Sequence, residues 1–219
     1  MHSILFMATI KNLQQELGSL SQPSKMPCYG FSIPAKNCKV GGKLSLIIDS
    51  VCFFCYAKKG RYIFENVQNA LAYRFEQMFK LGFDIWADKM IELICKKEKS
   101  GFFRWHDSGD LQSVEHLKAI AKIANALPSI KFWLPTREYK VVQEFSKENE
   151  MPENLTIRLS AFFVGKSAPI NLAKQNKCFT STVDYKDSFQ CNASKQGNQC
   201  LNCRACWDKS VENVNYPIH

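Results

Sequence analysis

The sequence predicts an α/β protein: a partial (β/α) barrel or open parallel sheet with a small cysteine-rich C-terminal segment. Three observations predict it. Between residues 101 and 164, short apolar runs alternate with helix-period segments, the pattern of parallel βαβ units. Three of these runs carry polar groups at their ends, in "HDSGD", "PTRE" and "LSAFF", and parallel sheets place their chemistry at the carboxyl ends of strands. The cysteines gather in a front group and a rear group, which divides the chain into an α/β domain over 1–177 and a cysteine-rich segment over 178–219.

The elements follow in order. "MHSILFMATIKNLQQEL" has no basic leader region and no convincing small-residue cleavage site, so it reads as the first structural element rather than a signal peptide. Residues 21–43, rich in Pro, Gly, Ser and Lys, read as an irregular segment leading into "KLSLII" (43–48), a short buried strand. Val67, Ala70, Leu71, Arg74, Phe75, Met78 and Phe79 keep helical spacing, with only Arg74 breaking the apolar stripe. A second helix runs from Ile85 to Lys97, and Cys95 within it reads as a small core residue. "GFFRWHDSGD" (101–110) supplies a strand, Ser113 to Leu127 a helix, and "IKFWLP" (130–135) a strand. Glu138 to Lys147 then reads as a helix and "LTIRLSAFFV" (155–164) as a strand. About four to six strands fall short of a closed eight-stranded barrel.

A chain of 219 residues, 46% apolar and 22% charged, is long enough for one substantial folded domain. No apolar run approaches the roughly 20 residues that span a bilayer, so the expectation is a cytoplasmic protein with no membrane partner. The formal charge of +9 is uneven: residues 178–219 balance Lys186, Lys195, Arg204 and Lys209 against Asp184, Asp187, Asp208 and Glu212. The basic excess therefore lies in residues 1–177, where it serves either a solvated surface or contact with nucleic acid or a phosphorylated substrate.

The ten cysteines decide the functional class. In a reducing compartment, clustered thiols are metal ligands more often than disulfides. The front group is Cys28 and Cys38 with Cys52 and Cys55, the last two in the loop after the expected strand 43–48. Cys38 is the natural third ligand and Cys28 a candidate fourth. The rear group is Cys178, Cys191, Cys200, Cys203 and Cys206, and "CLNCRACW" places three thiols at every third position. Structural zinc takes two separated pairs, which Cys52–Cys55 with Cys28 and Cys38 could supply. Three thiolates from one short run suit a 4Fe-4S cluster completed by a remote cysteine, here Cys178 or Cys191. A cluster on four thiolates is closed and serves structure or electron transfer, whereas one on three leaves an iron open. One or two clusters, with zinc as the alternative, are the cofactors expected.

"IPAKNC…GKL…SVCFFCYAKKGRYIFENVQNALAYRF", "RWHDSGDLQS", "FWLPTRE" and "CLNCRACW…NVNYPIH" resemble the phage gene product 88 family, in the same order from about residue 27 to the C-terminus. The resemblance implies a phage or prophage origin, hence the cytoplasm of an infected or lysogenic bacterial host. A second resemblance is to radical S-adenosylmethionine enzymes, which use a partial barrel and a three-cysteine cluster after the first strand. "SLIIDSVCFFCYA" is similar to that feature, although Cys38 lies far upstream of Cys52 where that family uses CxxxCxxC. Ser108, Gly109 and Asp110 stand where a Gly-Gly-Glu-like turn would be. This resemblance implies S-adenosylmethionine as a cofactor, with Asp110 on its amino group and an electron donor as partner.

His106 and Asp107, at a strand end, are candidate acid–base or substrate residues, and His106 is a minority candidate for a cluster ligand. Arg137 is a candidate clamp for carboxylate or phosphate. Together with Asp110 these form the candidate catalytic set. Tyr56 and Lys58, beside Cys55, join Ser108, Gly109 and Asp110 as candidate cofactor-binding residues. Lys58, Lys59 and Arg61 interleave with Tyr56 and Tyr62, which suits either a nucleic-acid contact or a polar loop pinned by two tyrosines. Arg158 points away from Ile157 and Leu159, toward an anion if that face is enclosed and toward water if it is open. The leading expectation is a redox enzyme with an unknown substrate. The alternatives are a zinc-stabilised nucleic-acid-binding protein and a non-catalytic iron–sulfur protein that binds a host factor.

Overall fold

The computed structural model describes residues 8–186 and 188–218. Its sheet has seven strands: β1 (Gly30–Phe31), β2 (Phe102–Trp105), β3 (Lys131–Thr136), β4 (Leu155–Ser160), β5 (Phe179–Val183), β6 (Phe189–Gln190) and β7 (Asn213–Tyr216). The order is β1-β2-β3-β4-β5-β7-β6, and every neighbouring pair is parallel. The α/β class and the open parallel sheet match expectation, and the strand number exceeds it. From β1 to β5, spatial order follows chain order. With right-handed crossovers, every step then carries its connection across the same face. The sheet is singly wound, with one helical face and one face left over.

The helices are α1 (Ile10–Leu17), α2 (Lys39–Leu44), α3 (Glu65–Leu81), α4 (Phe83–Lys97), α5 (Val114–Ala126), α6 (Tyr139–Glu148) and α7 (Ile170–Gln175). Sequence chemistry sets their ends. Thr9 caps α1, its Oγ1 accepting from Asn12 N at 3.2 Å, and Ser113 caps α5 by accepting from His116 N at 3.2 Å. Arg74, the break in the α3 stripe, is buried and donates Nε–H to Ser19 O at 2.6 Å, so it ties α3 to the segment after α1.

Strand alternation sorts the two faces. Phe103, Trp105, Phe132, Leu134, Leu155, Ile157 and Leu159 point to the helical face and form the main core with Trp86, Met90, Leu117 and Ile120. Phe31 packs on Trp86 with ring centroids 5.3 Å apart. Phe102, Arg104, Trp133, Thr156 and Arg158 take the opposite face, consistent with the pairing of Arg104 with Trp133 and of Trp133 with Thr156. The chain closes that face itself. Trp207 packs edge-on against Trp133 at 5.2 Å and Phe102 at 5.4 Å, and donates Nε1–H to Phe103 O at 2.8 Å. Thr156 Oγ1 donates to Trp207 O at 2.9 Å. The cysteine-rich segment supplies β5, β6 and β7, so it is built into the sheet.

Two local expectations are corrected. Residues 43–48 are not a strand: Lys43 and Leu44 end α2, and Leu46 is 85% exposed. Ser45 Oγ donates to Gly42 O at 2.7 Å and Ser50 Oγ to Leu44 O at 2.5 Å, which turns the chain before it can extend. The first strand is instead the two-residue β1. Cys95 is exposed on α4 rather than part of the core. Among the described residues, no helix is long and apolar enough to cross a membrane.

Candidate functional site

The front thiols lie at the carboxyl edge of the sheet even though no strand leads into them. Val51 N donates to Phe162 O at 2.8 Å and Val164 N to Asp49 O at 3.0 Å, which pins their loop to the segment after β4. Glu138, buried after β3, accepts from Val40 N at 2.8 Å, and Lys39 Nζ donates to Gln112 O at 2.6 Å. These bonds hold α2 across the ends of β2 and β3. Cys38 caps α2, and Gly41 follows within its first turn. A Cβ added at Gly41 would stand 3.4 Å from Cys52 Sγ and 3.7 Å from Cys38 Sγ, so the missing side chain gives two sulfurs a common space. Cys55 acts electrostatically on both. Burial pushes the Cys38 and Cys52 thiols up, and the Arg137 guanidinium pulls them back. A bound cation would reverse that preference for the protonated form. Exposed Leu46, Ile47, Ile48 and Phe53 give this edge an apolar rim.

Asp110 is buried beside these thiols. Its Oδ1 accepts from Leu111 N at 2.8 Å and Thr136 Oγ1 at 2.6 Å, and its Oδ2 from Arg137 N at 2.9 Å. It joins the end of β2 to the end of β3. Burial raises its carboxyl to about 6 against the pull of those bonds. Arg137 donates Nε–H to Ala161 O at 3.1 Å. Gly109, at φ +86°, allows the turn to pass Ile33: a Cβ there would meet Ile33 Cγ1 at 2.2 Å. Ser108 accepts Ile33 N at its carbonyl, 3.1 Å away. Asp107 faces the tyrosines, with Tyr62 donating to its Oδ2 at 2.5 Å and Tyr56 to its carbonyl. The tyrosines therefore pin the loop that carries exposed Lys58, Lys59 and Arg61.

His106 stands apart from this edge. It is buried at φ +56°, its ring lies 5.2 Å from His116, and neither ring nitrogen has a hydrogen-bond partner. Burial lowers its imidazole to about 3 and drives His116 well down too. Both rings are neutral and packed beside Trp105 and Trp86. The structure thus places Asp110, Arg137, Cys38, Cys52 and Cys55 together and leaves His106 in the core.

The rear cysteines lie on the face that the helices leave bare. Cys28, Met26, Trp133 and Trp207 form a buried cluster against which Cys200 and Cys206 pack. Cys200 N donates to Lys25 O at 2.8 Å and Cys203 N to Cys200 O at 2.9 Å. Cys206 Sγ meets Tyr216 Oη at 3.2 Å. Cys191 N donates to Asn215 O at 2.8 Å. Burial pushes Cys28 and Cys206 up to about 12. Cys28 thus sits with the rear group rather than the front one. Cys178 is not gathered with either: it belongs to the main core, its Sγ 3.2 Å from Asn176 O. Phe179 aligns with Arg158, so alternation turns Cys178 to the helical face. All ten cysteines are free thiols, and among the described residues no three His, Cys, Asp or Glu side chains converge on a single ion position.

Sequence reasoning missed Glu138 as the support of α2 and Arg104 as a charge beside the rear thiols. The alternation in "FFRW" carried the second signal, because a charge between Phe103 and Trp105 must point away from the core they share.

These features define a singly wound parallel α/β protein with one thiol group at the carboxyl edge of its sheet and another on its bare face. The chain belongs to the gene product 88 family, whose family model matches residues 5–209. No curated protein and no solved structure matches it.

Proposed function

We propose that this is an iron–sulfur protein whose front thiols, Cys38, Cys52 and Cys55, hold a cluster at the carboxyl edge of the sheet and serve a redox reaction there. The observation that carries the reading is the shared space at Gly41, flanked by the Cys38 and Cys52 sulfurs. A single ion needs its ligands around one point, whereas a polynuclear cluster distributes thiolates over several irons. When bound, such a cluster supplies one-electron transfer and, with three protein thiolates, an open coordination position. The chain's own residues do the rest. Arg137 sets a positive charge beside the thiols, which favours their ionised form and any anionic ligand. Asp110 and Glu138 hold the edge in place through buried hydrogen bonds.

Asp110, which the radical S-adenosylmethionine resemblance would set on that cofactor's amino group, already accepts from three donors on its two carboxylate oxygens. Anaerobic purification with iron and sulfide analysis tests the reading. Brown protein with iron and sulfide in equal amounts, reduced by Cys52→Ser, supports it; colourless protein with stoichiometric zinc overturns it.

A further inference from the structure

We infer that Cys191, Cys200, Cys203 and Cys206 form a second, closed thiolate site for an iron–sulfur cluster on the bare face of the sheet, with the Arg104 guanidinium as its counter-charge. The inference rests on the reading that thiolates of this chain hold iron. It adds a ligand set drawn from one segment, with Cys178 and Cys28 outside it.

Position separates the candidates. Cys178 faces the helical core, across the sheet from the other thiols. Cys28 lies on the same face but is buried within the cluster of Met26, Trp133 and Trp207, against whose outside Cys200 and Cys206 pack. Cys191, by contrast, directly follows β6, and its backbone is bonded to Asn215, the residue before Tyr216. The Tyr216 hydroxyl meets Cys206 Sγ at 3.2 Å, so β7 connects the two cysteines. The run from Cys200 to Cys206 adds three thiols at three-residue spacing, which suits a cubane with one remote ligand.

A second, independent observation points to an anionic occupant. Arg104 and Arg158 share this face of the sheet, but their guanidinium groups are treated differently. Arg158 is bonded to the carbonyls of Thr180, Ala205, Cys206, Asp208, Val211 and Glu212. Arg104 donates to Tyr56 Oη at 3.2 Å, makes a 3.6 Å contact with Met26 Sδ and lies 4.5 Å over the Trp133 ring. Its Nε is buried without a partner. Among the described residues, it makes no ion pair with a carboxylate. The half-buried guanidinium feels the Asp107 carboxylate, and its buried Nε still lacks the acceptor that an anion would supply. Its charge acts on Cys28, Cys200 and Cys206, and a cluster held by four thiolates carries net negative charge.

The test uses the full chain, reconstituted anaerobically with iron and sulfide. In a Cys38→Ser/Cys52→Ser/Cys55→Ser background only the rear site remains, and about half of the wild-type iron is expected to stay. Adding Cys191→Ser should lower that iron severalfold, and adding Cys178→Ser or Cys28→Ser should leave it unchanged. Thermal melts of the metal-free variants that match metal-free wild type show that loss of iron is not loss of fold. Arg104→Met should lower the reduction potential of the remaining cluster, and Arg104→Lys should recover part of the shift. A front-triple variant empty of iron beside an iron-loaded wild type overturns this inference alone. So does iron loss with Cys178→Ser or Cys28→Ser in place of Cys191→Ser, or a potential indifferent to Arg104. Absence of iron from wild type as well overturns the reading of the whole protein.

Discussion

The guanidinium of Arg158, on β4, donates Nε–H to the carbonyl oxygen of Cys206 at 3.0 Å. The side chain is fully buried, and its other nitrogens reach carbonyls on both sides of the same turn. A planar group with five donors in fixed directions suits that cage of acceptors. Arg158 therefore neither awaits an anion nor faces water, the two outcomes open from sequence: it fastens the cysteine-rich segment to the sheet.

Arg158→Met should leave several buried carbonyls without donors and cost about 3–5 kcal/mol. Arg158→Lys keeps the charge but offers a single point with three donors, and should recover only part of that loss. Denaturant unfolding measures both, and limited proteolysis should find the first new cleavages between residues 196 and 212. Equal stability of Arg158→Met and wild type would refute the fastening role.

Acid should weaken the fold through His106. Its imidazole ionises near pH 6.5 in the unfolded chain and near 3 in the folded one, so the unfolded state binds the extra proton between those values. Stability on this account falls by about 1.4 kcal/mol per pH unit as pH drops through that window. His116 acts in the same direction. Asp110 acts in the opposite one, since its raised folded value, about 6, makes the folded state hold a proton that the unfolded state has released. His106→Asn keeps a residue type that tolerates positive φ. It should reduce the slope of stability against pH by about 1.4 kcal/mol per unit between pH 4 and 6. Superimposable slopes would mean that the ring is not held neutral.

Gly109→Ala should cost at least about 2 kcal/mol, because it combines positive φ with a clash against Ile33. At this chain length that corresponds to a melting point lower by about 4–8 °C. Ile33→Ala in the same chain should relieve part of the clash, since Cγ1 leaves while the Ile33 carbonyl oxygen stays 2.8 Å from the new Cβ. A double-mutant cycle reads that coupling.

Gly41→Ala separates stability from site. Alanine favours a helix interior by about 1 kcal/mol over glycine. Its Cβ would nevertheless stand 3.1 Å from Cys38 Cβ and crowd the Cys52 sulfur. The melting temperature of the metal-free variant should change little, while front-site iron after reconstitution should fall severalfold. Full iron loading would show that the shared space is not used by the metal.

How legible each feature was depended on the range of the interactions behind it. Helices α3 to α6 and strands β2 to β4 announced themselves because local periodicity and a shared core agree there. Strands β1, β5, β6 and β7 did not: Gly30–Phe31 is a strand because β2 offers it a ladder, and two-residue or polar strands carry no period of their own. "KLSLII" misled because apolar residues can rim an edge as well as fill a core. Spacing paired Cys52 with Cys55 and named Cys38 as a third, but Cys28 and Cys178 could be placed only once the sheet had assigned each a side. His106 was read as available because its neighbours Asp107 and Asp110 are polar; a positive φ turned its ring inward instead.

The strand order has one last effect. β7 is made after β6 yet lies between β5 and β6, so residues 189–190 have no ladder to join until residues 213–216 exist. Synthesis therefore passes through a stage at which Cys191 through Cys206 are already present while the strand that anchors Cys191 to Tyr216 is still missing. During that interval the rear thiols lack the contacts with Asn215 and Tyr216 that fix Cys191 and Cys206 in the finished sheet, and insertion of β7 supplies them.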